Sequence, residues 1–288
     1  MCLGVGMLKW YGYLGLALLM LANINFILVI QPLAEWYIPI VWFGYIMFID
    51  SIVYYMKGRS LMSNHAKEFA FMALVSVPFW LIFEIYNVFT NNWTYINYIW
   101  YVHIVDFTTI MPAVLETFTL VMALEVFSGI KLEFPSLSRK RRDRSPKSHV
   151  YLAAMPLMIL GVIAVFLPLF APYVGFPFVW IGLFLLLDPI NYILGRDSIV
   201  LWCSRGKGNR MLQLFFAGII MGLFWEFWNY MAYPKWIYNI PLGMPMLKLF
   251  EMPLVGYLGY LPFALDVYLF YELSRALISK SKNPVISL

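Results

Sequence analysis

The chain has 288 residues, 62% of them apolar and only 12% charged, with a mean hydropathy of +0.77. So few charges cannot clothe a soluble globule of that size, so the composition excludes one and implies an integral membrane protein. Cys2 and Cys203 are the only cysteines, and His65, His103 and His149 lack ligand spacing, so neither a disulfide framework nor a metal site is expected and no cofactor is called for.

Taken in order, apolar runs long enough to cross a hydrocarbon core of about 30 Å lie near 10–30, 36–56, 68–90, 104–127, 150–171, 176–195, 211–233 and 253–274. This predicts an all-α polytopic bundle of eight transmembrane helices. The first run is long and has no small-x-small cleavage site after Ala22-Asn23-Ile24-Asn25, so it reads as a span rather than a signal peptide. With both termini cytoplasmic, every Lys and Arg except Lys235 and Lys248 falls on an inner segment, the bias the positive-inside rule requires of a multi-pass protein. The formal charge of +5 therefore reads as an orientation signal, and no nucleic-acid partner is expected. The basic run Arg139 to Lys147, flanked by Pro135 and Pro146, sits in a hydrophilic linker at 131–149 between membrane units at 1–130 and 150–288.

Those units follow one plan. Pro39, Trp42, Gly44 and Asp50 match Pro177, Trp180, Gly182 and Asp188 without a gap, and Gly58-Arg59 answers Gly195-Arg196. Glu84, Asn87, Trp93, Tyr95, Pro112 and Glu116 then answer Glu226, Asn229, Trp236, Tyr238, Pro262 and Asp266. Each unit is expected to cross the membrane four times, so the two have the same orientation and are related by a pseudo-two-fold axis along the membrane normal. Sites then form between the halves.

An ionisable side chain at the centre of a membrane helix costs about 2.5–3.5 kcal/mol, so acids in such runs need a reason. Glu84, Glu116, Glu226 and Asp266 are the candidate catalytic acids and bases, expected to line one cavity. Asn87 and Asn229, three residues after an acid on the same helix, are expected to orient it. The alternative is that these are buried interhelical hydrogen bonds. The aromatic fraction of 19% exceeds what interfacial belts need. Trp80, Trp93, Tyr95, Trp225, Trp228, Tyr230, Trp236 and Tyr238 are therefore candidate substrate-binding residues. Asp188-Pro189 reads as a helix N-cap with proline at the first helical position, and Lys248 with Glu251 as a local surface pair. The Pro/Gly-rich outer connector at 233–252 is expected to be irregular or re-entrant.

Trp236-Ile237-Tyr238-Asn239 followed by Pro262 and Asp266-Val267-Tyr268-Leu269-Phe270-Tyr271 resembles the lycopene cyclase domain of carotenoid biosynthesis, a small membrane unit often found as a tandem pair and similar to membrane carotenoid hydratases and terpenoid cyclases. In that family paired glutamates closely follow the proline, whereas here one acid lies four residues after it. The resemblance implies acid-initiated carbocation chemistry on a carotenoid or other isoprenoid lipid, by cyclisation, hydration or isomerisation. The residues are compatible: an undissociated carboxyl can protonate a double bond, and aromatic faces stabilise the cation. The alternative is a proton-coupled transporter or lipid-binding membrane protein, since parallel repeats and midplane carboxyls also suit a carrier. The richer aromatic set around Glu226 makes it the expected principal acid, with Asp266 as partner and Glu84 and Glu116 in support.

Overall fold

A computed structural model of the chain describes residues 7–132, 148–239, 247–278 and 286, with backbone alone at 148–153. Most of the basic linker, the prolines and glycine at 241, 243 and 245, Cys2 and the C-terminal lysines lie outside the described residues. The long helices are α1 (Trp10–Leu28), α2 (Tyr37–Lys57), α3 (Ala66–Thr90), α4 (Trp100–Ala123), α5 (Ser148–Phe170), α6 (Gly182–Leu194), α7 (Asn209–Met231) and α8 (Tyr260–Ile278). Six segments are long and apolar enough to cross a membrane: α1 to α4, α7, and Leu254–Ile278, which joins a 3-10 turn to α8. The pair Pro172–Trp180 and Gly182–Leu194, bent by 43°, makes a seventh if it is one span, while the apolar part of α5, Ala154–Phe170, is shorter. This set of apolar helices is consistent with an integral membrane protein.

Small residues decide which helices touch most closely. A Cβ on Gly15 of α1 would lie 2.6 Å from the Gly44 carbonyl oxygen of α2, and one on Gly44 would lie 2.9 Å from the Gly15 carbonyl oxygen. The α5–α6 contact uses the same device, with Gly161 against the Leu186 amide and Gly182 against that of Val165. Bare backbone at a crossing lets two helices gain close van der Waals contact where lipid tails compete for every apolar side chain. Around these pairs, α2 packs on α4 and α4 on α3; likewise α6 packs on α8 and α8 on α7. The halves join mainly where α7 meets α4, and α4 is consequently buried almost throughout from Phe107 to Ala123. One continuous core of aromatic and branched side chains runs through both halves.

Asp50 and Asp188 both act as caps, and Asp188 does not cap the helix that the sequence suggests. Pro189 lies inside α6 rather than at its start, so Asp188 is already helical. Its carboxyl turns instead to the helix that follows, accepting from the amides of Ile199 (2.5 Å) and Val200 (3.4 Å) at the start of Ile199–Ser204. Asp50 does the same for Leu61–Asn64, accepting from the Met62 amide (2.9 Å), the Ser60 hydroxyl (2.8 Å) and the Tyr11 phenol (2.6 Å). Between acid and cap the chain reverses through Gly58 and Gly195, each at φ +70°, a left-handed conformation glycine adopts without steric cost.

The end of the bundle that carries these turns is ionic. Arg275 bonds Glu272 at 3.2 Å and lies 3.5 Å from Glu68, and Asp197 accepts from Tyr268 and Trp202 beside Arg210. At the other end the predicted connectors contain short strands. β1 (Trp93–Ile96) pairs antiparallel with β2 (Lys235–Tyr238), and β3 (Lys248–Leu249) with β4 (Met252–Pro253). Glu251 pairs with Lys235 at 2.6 Å rather than with Lys248, because β3–β4 folds back toward β2.

Replacing Gly15 with leucine forces α1 and α2 apart and should cost about 1–3 kcal/mol. Thermal unfolding in detergent should show a lowered midpoint for Gly15→Leu and none for Gly129→Leu, where a Cβ meets nothing within 4 Å. Equal midpoints for both variants would rule out glycine-mediated packing as a source of stability.

Candidate functional site

The site is built from the last turns of α3 and α7. Each helix ends in an acid followed three residues later by an asparagine, and each asparagine clamps the strand that follows. The Asn229 amide donates to the Trp236 carbonyl oxygen and accepts from the Trp236 amide, both at 2.9 Å. Asn87 makes the same two bonds to Trp93, at 2.9 and 3.0 Å. The asparagines therefore hold the strands, not the acids, because three residues on from the acid the helix is ending and free backbone groups lie within reach.

With its tryptophan clamped, each strand runs back along its own helix, and the tyrosine two residues later meets the acid. Tyr238 donates to Glu226 Oε1 at 2.6 Å, and Tyr95 donates to Glu84 Oε1. The ribbon's register sets Trp93 against Tyr238 and Tyr95 against Trp236, so both acid–phenol pairs depend on a single strand pairing. Burial, and after it the neighbouring carboxyl, holds the Tyr95 and Tyr238 phenols well above their ordinary range. The phenols therefore keep their protons and remain donors.

The two acids then differ. Glu226 is fully buried, its Oε1 accepts a second phenol from Tyr260 at 2.6 Å, and its Oε2 has no hydrogen-bond partner. Glu84 is only partly buried and takes its second donor from the Trp80 indole at 2.7 Å. Four residues before Glu84 stands Trp80, whereas four residues before Glu226 stands Gly222, on which a Cβ would fall 2.3–2.6 Å from the Tyr260 ring. Glycine there makes the space that brings the Tyr260 phenol to Glu226.

Two cavities flank these groups. The first is a partly open hollow of about 470 Å³, counting the space at its mouth, walled by Trp80, Trp93, Trp180, Trp225 and Trp236, with Tyr238, Tyr260 and Phe263 completing its aromatic lining. The second, of about 350 Å³, shares Trp80, Trp225 and Trp236 with it and continues to Tyr95, His103 and Asp106. A partition of three indoles thus separates them. Trp80 and Trp225 lie 5.5 Å apart between ring centroids, and Trp225 and Trp236 5.9 Å.

Of the predicted substrate-binding residues, Trp80, Trp93, Tyr95, Trp225, Trp236 and Tyr238 line one or both cavities. Trp228 does not: it is packed behind them against Trp42, at 4.6 Å, and Tyr45. Tyr230 faces outward, half exposed, against Phe250 and Lys235. Nor do the four acids line either of these two cavities. Glu116 and Asp266 are fully buried away from both linings: Glu116 meets the Asp50 carboxyl and the Thr119 hydroxyl, and Asp266 faces the Phe184 backbone amide. Asp266 is therefore not the partner of Glu226; Tyr238 and Tyr260 are.

Sequence reasoning passed over Tyr260, Trp180, His103 and Asp106. The one local signal was the exchange of tryptophan for glycine four residues ahead of the second acid. In the second cavity His103 bonds the Ile99 carbonyl oxygen through Nδ1, and Asp106 Oδ1 is buried without a partner. Among the described residues no group of three or more His, Cys, Asp or Glu side chains is placed to hold a metal ion. Compared with known proteins, the chain matches no family model, no curated protein and no solved structure.

Asn229→Ala removes both bonds to the Trp236 backbone and should lower stability by about 1–3 kcal/mol. Asn229→Asp, which still accepts from the amide but no longer donates, should fall between. Unfolding followed by tryptophan fluorescence measures this, and an alanine variant as stable as the native chain would mean that the clamp does not hold the strand.

Proposed function

We propose that the chain is an integral-membrane enzyme that protonates a carbon–carbon double bond of a carotenoid or other isoprenoid lipid, with Glu226 as the acid. The O–H bond of the carboxyl breaks and the π pair forms a C–H bond; the carbocation left behind, with or without ring closure, then either returns a proton to the Glu226 carboxylate or is captured by water, whose surplus proton goes to that carboxylate. The observation that carries this reading is the cavity of about 470 Å³ walled by five tryptophans, with a fully buried carboxyl directly behind two of its phenols. Oε2 is the oxygen left to carry and deliver a proton, since Oε1 is saturated by Tyr238 and Tyr260. No lysine, arginine or histidine is present in the lining, in keeping with a substrate without phosphate or carboxylate.

The wider organisation belongs to the same reading. The chain is a tandem pair of four-helix units, with α5 and the bent α6 segment each crossing the membrane and both termini cytoplasmic. Supporting the pairing are the matched asparagine clamps, the matched aspartate caps, the glycine contacts of α1–α2 and α5–α6, and the symmetric register of β1 and β2. The halves are unequal: Glu226 is the principal acid because it alone is fully buried and held by two phenols. A second reading, a proton-coupled carrier, is favoured by one observation, the contact of the Glu116 and Asp50 carboxyls within the bundle.

Lipids extracted from hosts making lycopene or shorter polyprenyl chains, with and without the gene, should show an isoprenoid of altered retention or mass. Glu226→Gln keeps the phenol bonds but carries no acidic proton, so product should fall about 10²–10⁴-fold at normal protein abundance. Glu84→Gln should do less. Equal losses from the two variants would overturn the unequal roles, and no altered isoprenoid in any host would overturn the enzyme. Uptake of solute into proteoliposomes that follows a proton gradient and fails on Glu116→Gln would support the carrier instead.

A further inference from the structure

We infer that the tryptophan-walled cavity is a binding site for an amphiphilic cation, a trialkylammonium or protonated amine group carried on an apolar chain. The inference needs the cavity but not the chemical step proposed for it. Five indoles, two phenols and one phenyl ring make up most of the wall, and the face of each ring carries the negative part of its quadrupole, so a cation enclosed by several of them is attracted from several sides. Neighbouring rings are tilted rather than parallel, Trp80 and Trp225 by 35°, Trp80 and Trp93 by 37°, and Trp225 and Trp236 by 64°, so they do not form one stack.

Charge points the same way. Glu226 lies behind Tyr238 and Tyr260, fully buried, and among the described residues it takes part in no ion pair. The nearby cation Lys235 is committed to Glu251 at 2.6 Å. Oε2 is left without a partner, so a cation entering the chamber would let this buried carboxyl give up its proton and stand as the compensating charge. An anionic ligand would meet no positive side chain in this lining and a carboxyl at its back; a cation meets π faces and that carboxyl. Gly256 and Gly259 line the cavity with backbone only, Gly256 against the Met252 side chain and Gly259 beside the Trp180 ring. On the same turn Leu254, Val255 and Leu258 are exposed, so an alkyl chain leaving past this turn would meet an apolar surface of the kind that faces lipid.

The test uses the full chain purified in a neutral detergent, with dodecyltrimethylammonium as probe and two controls. One is the uncharged carbon isostere, in which a tert-butyl group replaces trimethylammonium; the other is dodecyl sulfate. Tryptophan fluorescence should change saturably with the ammonium probe, and the isostere should bind at least about tenfold more weakly, a difference of about 1.4 kcal/mol. Dodecyl sulfate should bind no better than the isostere. Glu226→Gln, which preserves shape, should erase most of the preference for the ammonium while leaving affinity for the isostere unchanged. Equal binding of ammonium and isostere by the native chain would overturn the inference, whatever the variant does, and so would a full preference retained in Glu226→Gln. Saturable ammonium binding by a protein that alters no isoprenoid would uphold it while removing the enzymatic reading, so the two fail separately.

Discussion

The arrangement of the site depends on one reversal of the chain, repeated at the ends of α3 and α7. An asparagine amide bonds both the amide and the carbonyl of a tryptophan six or seven residues on, and this brings the next strand back along the helix just left. The tyrosine–acid pairs of the ribbon follow from that reversal. The tyrosine two positions beyond the tryptophan faces the acid one helical turn before the asparagine, and the two reversed strands find each other as a ribbon. A side-chain amide suits the task because it offers one donor and one acceptor on a short stem, the complement of a single peptide unit. Loss of one such clamp frees a strand, and every hydrogen bond of the two-stranded ribbon involves that strand.

Much of this was legible in the residue order, and what was missed has a common cause. The apolar runs, the buried acids and the surplus of tryptophan are each visible because they violate what lipid or water would select. The partners of the acids were not visible. Spacing on one helix placed Asn229 beside Glu226, yet the bond it makes lies across the helix end, and no periodicity reports where a chain turns back. Tyr260 was hidden for a stronger reason, since it lies 34 residues from Glu226 and meets it only because α8 packs on α7. Asp188 illustrates the same limit. Its capping character was readable, but the helix it caps begins eleven residues later.

The bundle has two chemically different ends, and this bears on how the acids are stabilised. Around Glu68, Asp197, Glu272 and Arg275 the charges answer one another across elements of both halves, and tyrosines supply further donors. Mutual compensation of this kind holds structure together but leaves little charge for a ligand. At the ribbon end Glu84 and Glu226 are held by phenols and an indole alone. Neutral donors orient a carboxyl without neutralising it, so its charge or its proton stays available to whatever enters the chamber. Glu116, with Asp50 beside it, and Asp266, facing the Phe184 backbone amide, lie outside both chambers, so neither chamber gathers the four acids.

The inequality of the halves can be traced to two positions on the helix carrying each acid. Eight and four residues before Glu226 stand Gly218 and Gly222; at the same distances before Glu84 stand Ser76 and Trp80. In α7 the missing side chains let α8 approach until the Tyr260 carbonyl oxygen lies 2.5 Å from where a Gly218 Cβ would be, with its ring over Gly222. In α3 the Ser76 hydroxyl occupies the equivalent contact, bonding the Phe107 carbonyl oxygen and accepting from the Met111 amide at 3.0 Å, and the Trp80 indole takes the place the phenol has in the other half. The exchange has two effects that reinforce each other. It gives Glu226 a second phenol and full burial, and it sends Trp80 into the partition between the chambers, where its ring forms part of the first cavity's wall. One half thereby contributes the acid and the other contributes aromatic surface around it, so neither half can form the chamber alone.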